Sequence, residues 1–407
     1  MPTKAARTKV PSKSLLEAVR AFCARKGFVS NISKEPGAPE VYGQLGSELK
    51  RNIQDAWWQN VVTSRGNVWG VESGLLLNKS LSDDWKKSAV DDIIKLVNKS
   101  PKDVEAKVGN ILDQCKSHVG LRPSLTEESF HRCLSHLNTG QWKLPFGVAQ
   151  VGKCWRSANS GSNVSVVETE EMSLSYFCSH SELLDCYMSW QKQRLRWWRK
   201  FANKPENFQL IDQNKSSSSK FINHESTIEY QFPWGKGEVE KIICSSENIY
   251  HQQLKSTEDI RIPSLVQASA QLDKGMQAYL FDGYKEMERE EQGKLVTVMC
   301  IYPLLAPVKV AVIPSTPSEH KLCVFGQYLA EELRQHRMKT VFCEDVNKSL
   351  NENYKESDEV GVPYCIVVDP VTLENGVVAV RSRDTTLLEY IKSSEVCRTL
   401  KPLLRML

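Results

Sequence analysis

The pattern of hydrophobic positions becomes regular after residue 303. Short runs typical of buried strands alternate there with amphipathic helical runs. The predicted strands are VKVAVIP, KTVFCED, PYCIVVD and GVVAVRSR, and the predicted helices are KLCVFGQYLAEELRQHRM and TTLLEYIKSS. The alternation predicts a separate small α/β domain over residues 303–407.

Residues 14–81 and 141–302 mix helical and strand patterns. Leu15, Val19 and Phe22 fall on one helical face, and Gly27 supplies a stop signal. Further along, FGVAQVGKCW and SNVSVVETEEMSLSYF read as strands, whereas PSLVQASAQLDKGMQAYLFDGY carries Leu272, Met276, Leu280 and Phe281 at helical spacing. These two stretches together predict an α+β core, so the chain as a whole is a multidomain α+β and α/β protein.

Residues 82–140 interrupt this core with three helical patterns. Ser82, Ser100 and Ser124 each stand where a helix N-cap is expected, and Gly140 closes the last helix. Each helix offers only one apolar stripe, so the segment needs a partner surface. That partner is either the rest of the same chain or the same segment of a second subunit packed about a twofold axis.

Cysteine and histidine spacing indicates no metal or redox site. The 12 cysteines include no CxxC pair and the 8 histidines include no HxH or HExxH. Such scattered cysteines are typical of buried free thiols in a reducing compartment, so we expect no metal and no cofactor. No apolar run approaches the roughly 20 residues that span a bilayer, so no membrane association is expected.

The net charge of +4 is concentrated away from the C-terminal domain. Residues 1–81 carry 12 basic and 6 acidic side chains, whereas residues 303–407 carry 13 and 14. The C-terminal domain therefore lacks the basic composition of a nucleic-acid-binding module. Residues 1–13 hold four basic residues and no acid, which is compatible with a basic leader or the remnant of a mitochondrial presequence.

One acid-free basic run, WQKQRLRWWRKF at residues 190–201, is a candidate nucleic-acid contact. As a helix it places Trp190, Arg194 and Trp197 on one face. Arginines interleaved with aromatic residues can stack on bases or bind phosphates. The alternative is a surface helix with tryptophans in the core and solvated charges. The candidate DNA-binding residues are Arg194, Arg196, Arg199 and Lys200.

Two stretches closely resemble the C-terminal anticodon-binding domain of glycyl-tRNA synthetases. They are LAPVKVAVIP (305–314) and YKESDEVGVPYCIVVDPVTLENGVVAVRSRDTTLLEYI (354–391). The second is far more specific than a short motif because it extends over nearly forty residues. It contains Asp358, Glu359, Gly361, Pro363, Asp369, Arg381, Arg383, Asp384 and Thr385.

The middle of the chain resembles the antiparallel catalytic core of class IIa synthetases, but with departures. The family's second motif pairs an arginine for the α-phosphate with a glutamate. Here Arg156 remains and Ala158 stands in the glutamate position. In the third motif, Gln271 occupies a glycine position and Lys274 an arginine position. Lysine keeps the charge without the planar guanidinium.

The stretch that resembles the amino-acid pocket, FPWGKGEVEKIICSSENIYHQQ (232–253), is altered as well. Glu238 and Glu240 remain, whereas later charged positions hold Ser245, Ser246 and Asn248. Three altered elements in one site argue against aminoacylation. We therefore predict no catalytic residue, and a structural role for Arg156.

These features together resemble the accessory subunits of mitochondrial DNA polymerase gamma, which are related to the synthetases. The resemblance runs from SLLEAVRAF through YGQLGSELKRNIQDAWW and FPWGK to LENGVVAVRSRDTT. It implies a non-catalytic mitochondrial protein of the matrix nucleoid that binds the catalytic polymerase subunit and duplex DNA and raises processivity. It also implies a homodimer formed through the helical segment 82–140, with the C-terminal domain binding the polymerase.

Two other functions remain open from the sequence. The chain could be a divergent active glycyl-tRNA synthetase, since Arg156 and both pocket glutamates are present. It could also be a synthetase-like protein that binds RNA or regulates another process without a polymerase partner.

Overall fold

The computed structural model describes residues 12–31, 41–78, 119–126, 129, 143–160, 163–213, 222–246, 263–289 and 294–405. Residues 1–11 of the predicted leader and most of the predicted helical segment lie outside these residues, whereas Ser12 and Lys13 of the predicted leader belong to the first helix. The described chain forms one large sheet, one smaller α/β sheet and three two-stranded ladders. None of the described helices combines the length and apolar character needed to span a bilayer.

The first helix forms where the apolar spacing predicts it. It buries Val19 and Phe22, and Gly27 follows with a φ of +79°, which glycine adopts without strain. The N-terminal elements are α1 (Ser12–Arg25), β1 (Val29–Asn31), β2 (Val41–Tyr42), α2 (Gln44–Trp58, continued by a π-helical turn over Gln59–Thr63), β3 (Val68–Gly70), β4 (Leu76–Asn78) and β5 (Val119–Leu121).

Strand β5 corrects one expectation from the sequence. The all-helical segment 82–140 is predicted to have its second helix end at Gly120, but Val119–Leu121 is a strand that pairs antiparallel with β4, with Asn78 opposite Val119. The pairing with β4 sets the conformation of these residues. Asn78 and Val119 therefore lie beside each other.

A seven-stranded sheet forms the centre of the N-terminal part. Its elements are β6 (Phe146–Ser160), β7 (Asn163–Cys178), α3 (Leu183–Lys200), β8 (Phe208–Gln213), β9 (His224–Phe232), β10 (Gly235–Ser245), β11 (Ser264–Gln271) and α4 (Leu272–Gly283), followed by the ladder β12 (Tyr284–Arg289) and β13 (Lys294–Met299). The strand order is β3-β6-β7-β11-β10-β9-β8. Strands β3 and β6 are parallel, and the other neighbours are antiparallel. The strands predicted at FGVAQVGKCW and SNVSVVETEEMSLSYF are confirmed.

Helices α2, α3 and α4 pack on one face of this sheet, which we call the back face. Alternate strand residues such as Leu174, Ile228 and Ile242 point to this face and are fully buried. Trp198 of α3 stacks on Phe208 with ring centroids 5.7 Å apart. Burial of these aromatic and aliphatic groups is the main stabilising contribution to the core.

The C-terminal domain is the α/β unit that the pattern predicts. Its elements are β14 (Val310–Pro314), α5 (His320–Gln335), β15 (Thr340–Phe342), α6 (Leu350–Val360), β16 (Tyr364–Val368), α7 (Pro370–Asn375), β17 (Val377–Ser382), β18 (Leu388–Lys392) and α8 (Val396–Leu403). The sheet order is β15-β14-β16-β17-β18, with β17 and β18 antiparallel to their neighbours. Val310 and Val312 face α5 and α8, while Ala311 and Ile313 face α6.

Strand β18 is a second correction, because TTLLEYIKSS was predicted as a helix. Its backbone pairs with β17, with Leu388 opposite Arg381 and Tyr390 opposite Ala379. The apolar residues Leu388 and Tyr390 are exposed, so they do not form the buried stripe that the helical prediction requires. Pairing with β17 decides the conformation here.

Residues that carry the resemblance to anticodon-binding domains prove to be structural. Asp358 accepts two hydrogen bonds from the Arg381 guanidinium at 3.0 and 3.1 Å, and the pair is fully buried. The Arg383 guanidinium donates to the Gly361 carbonyl at 2.9 Å and to the Met299 carbonyl at 3.2 Å. Asp358, Arg381 and Arg383 thus hold α6, β17 and the end of β13 together.

The junction between the two parts of the chain is polar. Lys309 Nζ donates to the carbonyls of Pro303 at 3.0 Å and Leu304 at 2.5 Å, and burial lowers the pKa of Lys309 to about 7. Asn52 of α2 donates to the carbonyls of Leu305 and Ala306 at 3.1 and 3.0 Å. Hydrogen bonds to the connecting backbone therefore fix where the C-terminal domain begins relative to α2.

We predict that Asp358→Ala destabilises the C-terminal domain by about 3–5 kcal/mol, because it leaves the Arg381 charge buried without a carboxylate. Urea unfolding followed by circular dichroism measures the change. The control Glu331→Gln removes an exposed ion pair with Arg334 and should shift the transition far less. Equal shifts for the two variants would contradict this account.

Candidate functional site

Glu240, a glutamate of the stretch that resembles the amino-acid pocket, points into the core. The register of β10 shifts between Glu238 and Glu240, and Glu240 faces α3. Its Oε1 accepts a hydrogen bond from Arg194 Nε at 2.8 Å, and its Oε2 accepts one from Trp198 Nε1 at 2.5 Å. Both partners of the ion pair are 1% exposed. Both carboxylate oxygens of Glu240 are therefore engaged by the protein itself.

The prediction that Arg194 contacts DNA is corrected by this arrangement. The Arg194 guanidinium carbon lies 4.6 Å from the ring centroid of Trp197 and 5.9 Å from that of Trp57. A guanidinium paired with a buried carboxylate and covered by aromatic rings cannot reach a phosphate. The predicted common face of Trp190, Arg194 and Trp197 is confirmed, and that face is buried.

The remaining three residues of the predicted DNA-binding set differ in availability. Arg196 and Lys200 are exposed on the outer face of α3. Arg199 is half-buried and donates twice to the Phe208 carbonyl, from Nε at 2.9 Å and from Nη2 at 2.7 Å. Arg196 and Lys200 are thus positioned to meet a polyanion, whereas Arg199 secures the start of β8.

The front face of the sheet, opposite α3, is polar and is contacted by residues 122–126 and by Ser129. Gln150 Nε2 donates to Ser129 Oγ at 2.7 Å, and Gln267 donates to Thr126. Four buried front-face hydroxyls have no hydrogen-bond partner among the described residues: Thr169, Ser173, Ser175 and Thr227. This surface has polar groups for recognition but is shielded from solvent by the chain.

Arg122 anchors this segment. Its guanidinium donates to the carbonyls of Lys153 at 2.8 Å and Ser73 at 2.9 Å. Gly152 lies directly beneath, and a Cβ at this position would stand 2.2 Å from Arg122 Nη2. Arg122 was not singled out from the sequence, since a lone arginine between a predicted helix and a proline gives no distinctive signal.

The four residues of the degenerate synthetase site lie on two strands, β6 and β11, which flank β7, and on helix α4, which follows β11. On the β6–β7 hairpin, Arg156 stands opposite Val167 in register and Ala158 stands opposite Ser165; the side chains of Arg156 and Ala158 lie outside the described residues. Gln271 ends β11 and caps α4, and Lys274 is exposed in the first turn of α4. Alanine at 158 supplies no carboxylate to orient a substrate.

Asp273, next to Lys274, belongs to an ion-pair cluster behind the sheet. Lys50 Nζ lies 2.7 Å from Glu170 Oε2 and 3.1 Å from Asp273 Oδ1, and Tyr42 donates to the same Asp273 oxygen at 2.6 Å. Burial alone would lower the pKa of Lys50, but the two carboxylates outweigh it and raise that pKa. One lysine of α2 therefore forms ion pairs with both acids.

The serines that replace charged residues make local contacts. Ser245 is buried and lies opposite Leu265 in the sheet. Ser246 donates its backbone N–H and its hydroxyl to Asn223 Oδ1 at 2.7 and 3.0 Å. Asn248 lies outside the described residues. The described serines secure the end of β10 and present no charge to a substrate.

A groove of about 1020 Å³ lies between α2 and the C-terminal domain. It is lined by apolar side chains at the β15 edge, including Tyr328, which is 67% exposed, and Val341, which is 40% exposed. An exposed apolar cleft with a polar rim is typical of protein-binding surfaces. Sequence reasoning missed this groove, although Tyr328 gave a signal as an aromatic residue on the polar face of α5.

The opposite edge of the same sheet is also apolar. Leu387, Leu388 and Tyr390 are exposed along β18, with Tyr390 at 69%. The two edges provide matched positions, Tyr328 and Tyr390, for testing which one binds a partner.

Comparison with known proteins defines the class of protein first. The anticodon binding domain family matches residues 309–403. The glycine–tRNA ligase of Borreliella afzelii is 26% identical over 91% of this chain and 93% of its own length. Mixed sheets with helices and this C-terminal domain fit a class II synthetase-like α/β fold.

The family follows from two further relatives. The Xenopus laevis protein named mitochondrial DNA polymerase subunit gamma-2 is 31% identical over 87% of this chain and 79% of its own length. The Mus musculus DNA polymerase subunit gamma-2 is 30% identical over 93% of this chain and 88% of its own length. The chain belongs to the DNA polymerase subunit gamma-2 family, as the resemblance in the sequence predicts.

The assignment of Arg194 to the core can be tested against its exposed neighbour. Arg194→Ala should lower the free energy of unfolding by about 3–5 kcal/mol, because Glu240 is left buried without its partner. Arg196→Ala should change it by no more than about 0.5 kcal/mol. Urea unfolding followed by tryptophan fluorescence measures both. A fully stable Arg194→Ala variant would overturn the structural role of this residue.

Proposed function

We propose that this protein is a non-catalytic accessory subunit of mitochondrial DNA polymerase gamma. In this role it binds the catalytic subunit and duplex primer-template in the mitochondrial nucleoid and raises processivity. Membership of the subunit gamma-2 family is the single observation that carries the proposal. A bound partner that adds DNA contacts lowers the dissociation of the polymerase from DNA and needs no chemistry of its own.

The state of the synthetase-like site supports a non-catalytic role. Ala158 and Gln271 stand where the family motifs place a glutamate and a glycine. Both oxygens of Glu240 are already engaged by Arg194 and Trp198. A site without its acid, and with a pocket carboxylate turned into the core, is poorly suited to activating an amino acid.

The C-terminal domain supports the proposed polymerase contact. Its groove combines apolar side chains such as Tyr328 and Val341 with a rim that carries both charge signs, including Glu331 and Arg334. Aromatic residues in such settings often dominate binding energy. The near-neutral charge of residues 303–407 favours a protein partner over a nucleic acid.

The direct test is primer extension by the polymerase gamma catalytic subunit on a long single-stranded template. Wild-type protein should lengthen the products made in a single binding event. Tyr328→Ala should weaken binding of the catalytic subunit by about tenfold or more, because it removes a central aromatic anchor. Tyr390→Ala, the matched control at the opposite edge, should leave it unchanged.

Each outcome of this test bears on a separate part of the proposal. Unchanged product lengths with wild-type protein would overturn the proposed function. Longer products that depend on Tyr390 and not on Tyr328 would keep the function and move the contact to β18.

The outer face of α3 is the proposed DNA contact. Replacing both Arg196 and Lys200 by alanine should weaken duplex DNA binding and reduce the slope of log K against log salt by about 1.8, since each lost phosphate contact contributes about 0.9. Fluorescence anisotropy over a salt series measures the slope. The double variant Lys321→Ala and Lys355→Ala, at two exposed lysines of the C-terminal domain, is the control. An unchanged slope in a folded Arg196 and Lys200 variant would rule out this face.

Binding of structured RNA is the second candidate function, favoured by the anticodon binding domain match. The same anisotropy experiment distinguishes RNA binding from duplex DNA binding. Transfer RNA that competes more strongly than duplex DNA would favour an RNA-binding role.

The proposed homodimer forms through residues 82–140, and the part of this segment that precedes β5 can be removed by itself. Because Asn78 lies opposite Val119, residues 79–118 can be replaced by an Asn-Gly hairpin turn without disturbing the described core. We predict that this shortened protein is a soluble monomer by multi-angle light scattering, whereas the full chain is a dimer. A shortened protein that still dimerises would place the interface elsewhere.

A further inference from the structure

Three metal-ligating side chains meet where α5 ends and α8 begins. The ligand atoms of Glu332, His336 and Cys397 all lie within 4.8 Å of one another. Glu332 and His336 are one turn apart at the end of α5, so their side chains project in the same direction. Cys397 is the second residue of α8. The tertiary packing of two helices that are distant in sequence creates this cluster.

The packing of α8 fixes the position of the Cys397 sulfur, whereas the His336 imidazole lies at the surface. Val396, Leu400 and Leu404 are buried against the core that includes Leu329 and Leu333 of α5. Cys397 is 9% exposed, whereas His336 is exposed. Because the Cys397 sulfur is held in place and the His336 imidazole is exposed, the three ligands can close around an ion.

No hydrogen bond or ion pair engages these three side chains among the residues that the structure describes. Elsewhere on α5 the corresponding groups are paired, as Glu331 is with Arg334 at 3.1 Å. The ligand atoms at Glu332, His336 and Cys397 are thus available to an ion without first breaking an internal contact.

The donor set identifies the class of ion. A thiolate, an imidazole and a carboxylate together suit a borderline-soft divalent cation, and Zn²⁺ binds such ligands at about 2.0–2.3 Å in a tetrahedron. Ligand atoms in that geometry are about 3.5 Å apart, so a pair at the 4.8 Å limit has to approach by about 1 Å. His336 is the exposed member of the cluster, so its side chain has the most room to move.

We propose that Glu332, His336 and Cys397 form a zinc site with water as the fourth ligand. Bound zinc cross-links the end of α5 to the start of α8 and so fixes the C-terminal helix on the domain. The cysteine and histidine spacing gave no hint of it, because the ligands come from two distant segments.

The test uses full-length protein stripped with a chelator and titrated with Co²⁺, a spectroscopic substitute for zinc. The expected result is a near-ultraviolet thiolate-to-cobalt charge-transfer band that saturates at one ion per chain and disappears on addition of Zn²⁺. Cys397→Ser should lose the band, and Cys323→Ser, a half-buried cysteine at the other end of the domain's helix α5, should keep it.

A second pair of variants keeps the proposal testable if Cys397→Ser does not fold. His336→Ala changes an exposed residue and should weaken cobalt binding at least about tenfold, whereas His320→Ala, at the start of the same helix, should not. Glu332→Gln and the control Glu331→Gln should differ in the same way. Absence of the band in the wild type, a band that persists in Cys397→Ser, or equal affinity in His336→Ala would overturn the site.

Discussion

The buried ion pair between Arg194 and Glu240 is the interaction around which the N-terminal core is arranged. It joins the centre of α3 to the centre of the sheet, and both charges are removed from water. Breaking a buried pair is costly, so the orientations of α3 and β10 depend on each other. Two consequences follow for function. Glu240 is turned away from the front face, and the outer side of α3 is left with Arg196 and Lys200 facing solvent.

Buried charged residues hold the C-terminal domain together as well. Asp358, Arg381 and Arg383 carry the resemblance to anticodon-binding domains, and in the structure they hold helix, strand and junction together. The surface of this domain carries an apolar groove at the β15 edge, where Tyr328 and Val341 are exposed. The scaffold is thus held by buried charges and presents basic and apolar surfaces to partners.

Much of the fold could be predicted from the sequence, because apolar spacing reports burial directly. The pattern located α1, the β6–β7 hairpin and most of the C-terminal domain. It failed at β5 and β18, where pairing with a neighbouring strand decides the conformation. The pattern also did not predict that Arg194 is buried against Glu240, because a charged residue on an apolar helical face does not identify its partner. The groove and the cluster of Glu332, His336 and Cys397 arise only from tertiary packing.

We propose that a synthetase-like scaffold here serves binding and no longer chemistry. Glycine-dependent exchange of pyrophosphate into ATP measures amino-acid activation directly, independently of any polymerase or DNA. The account predicts no exchange above a blank without protein, even at high glycine and ATP concentrations. Robust exchange that depends on glycine would contradict it and would identify the chain as an active ligase.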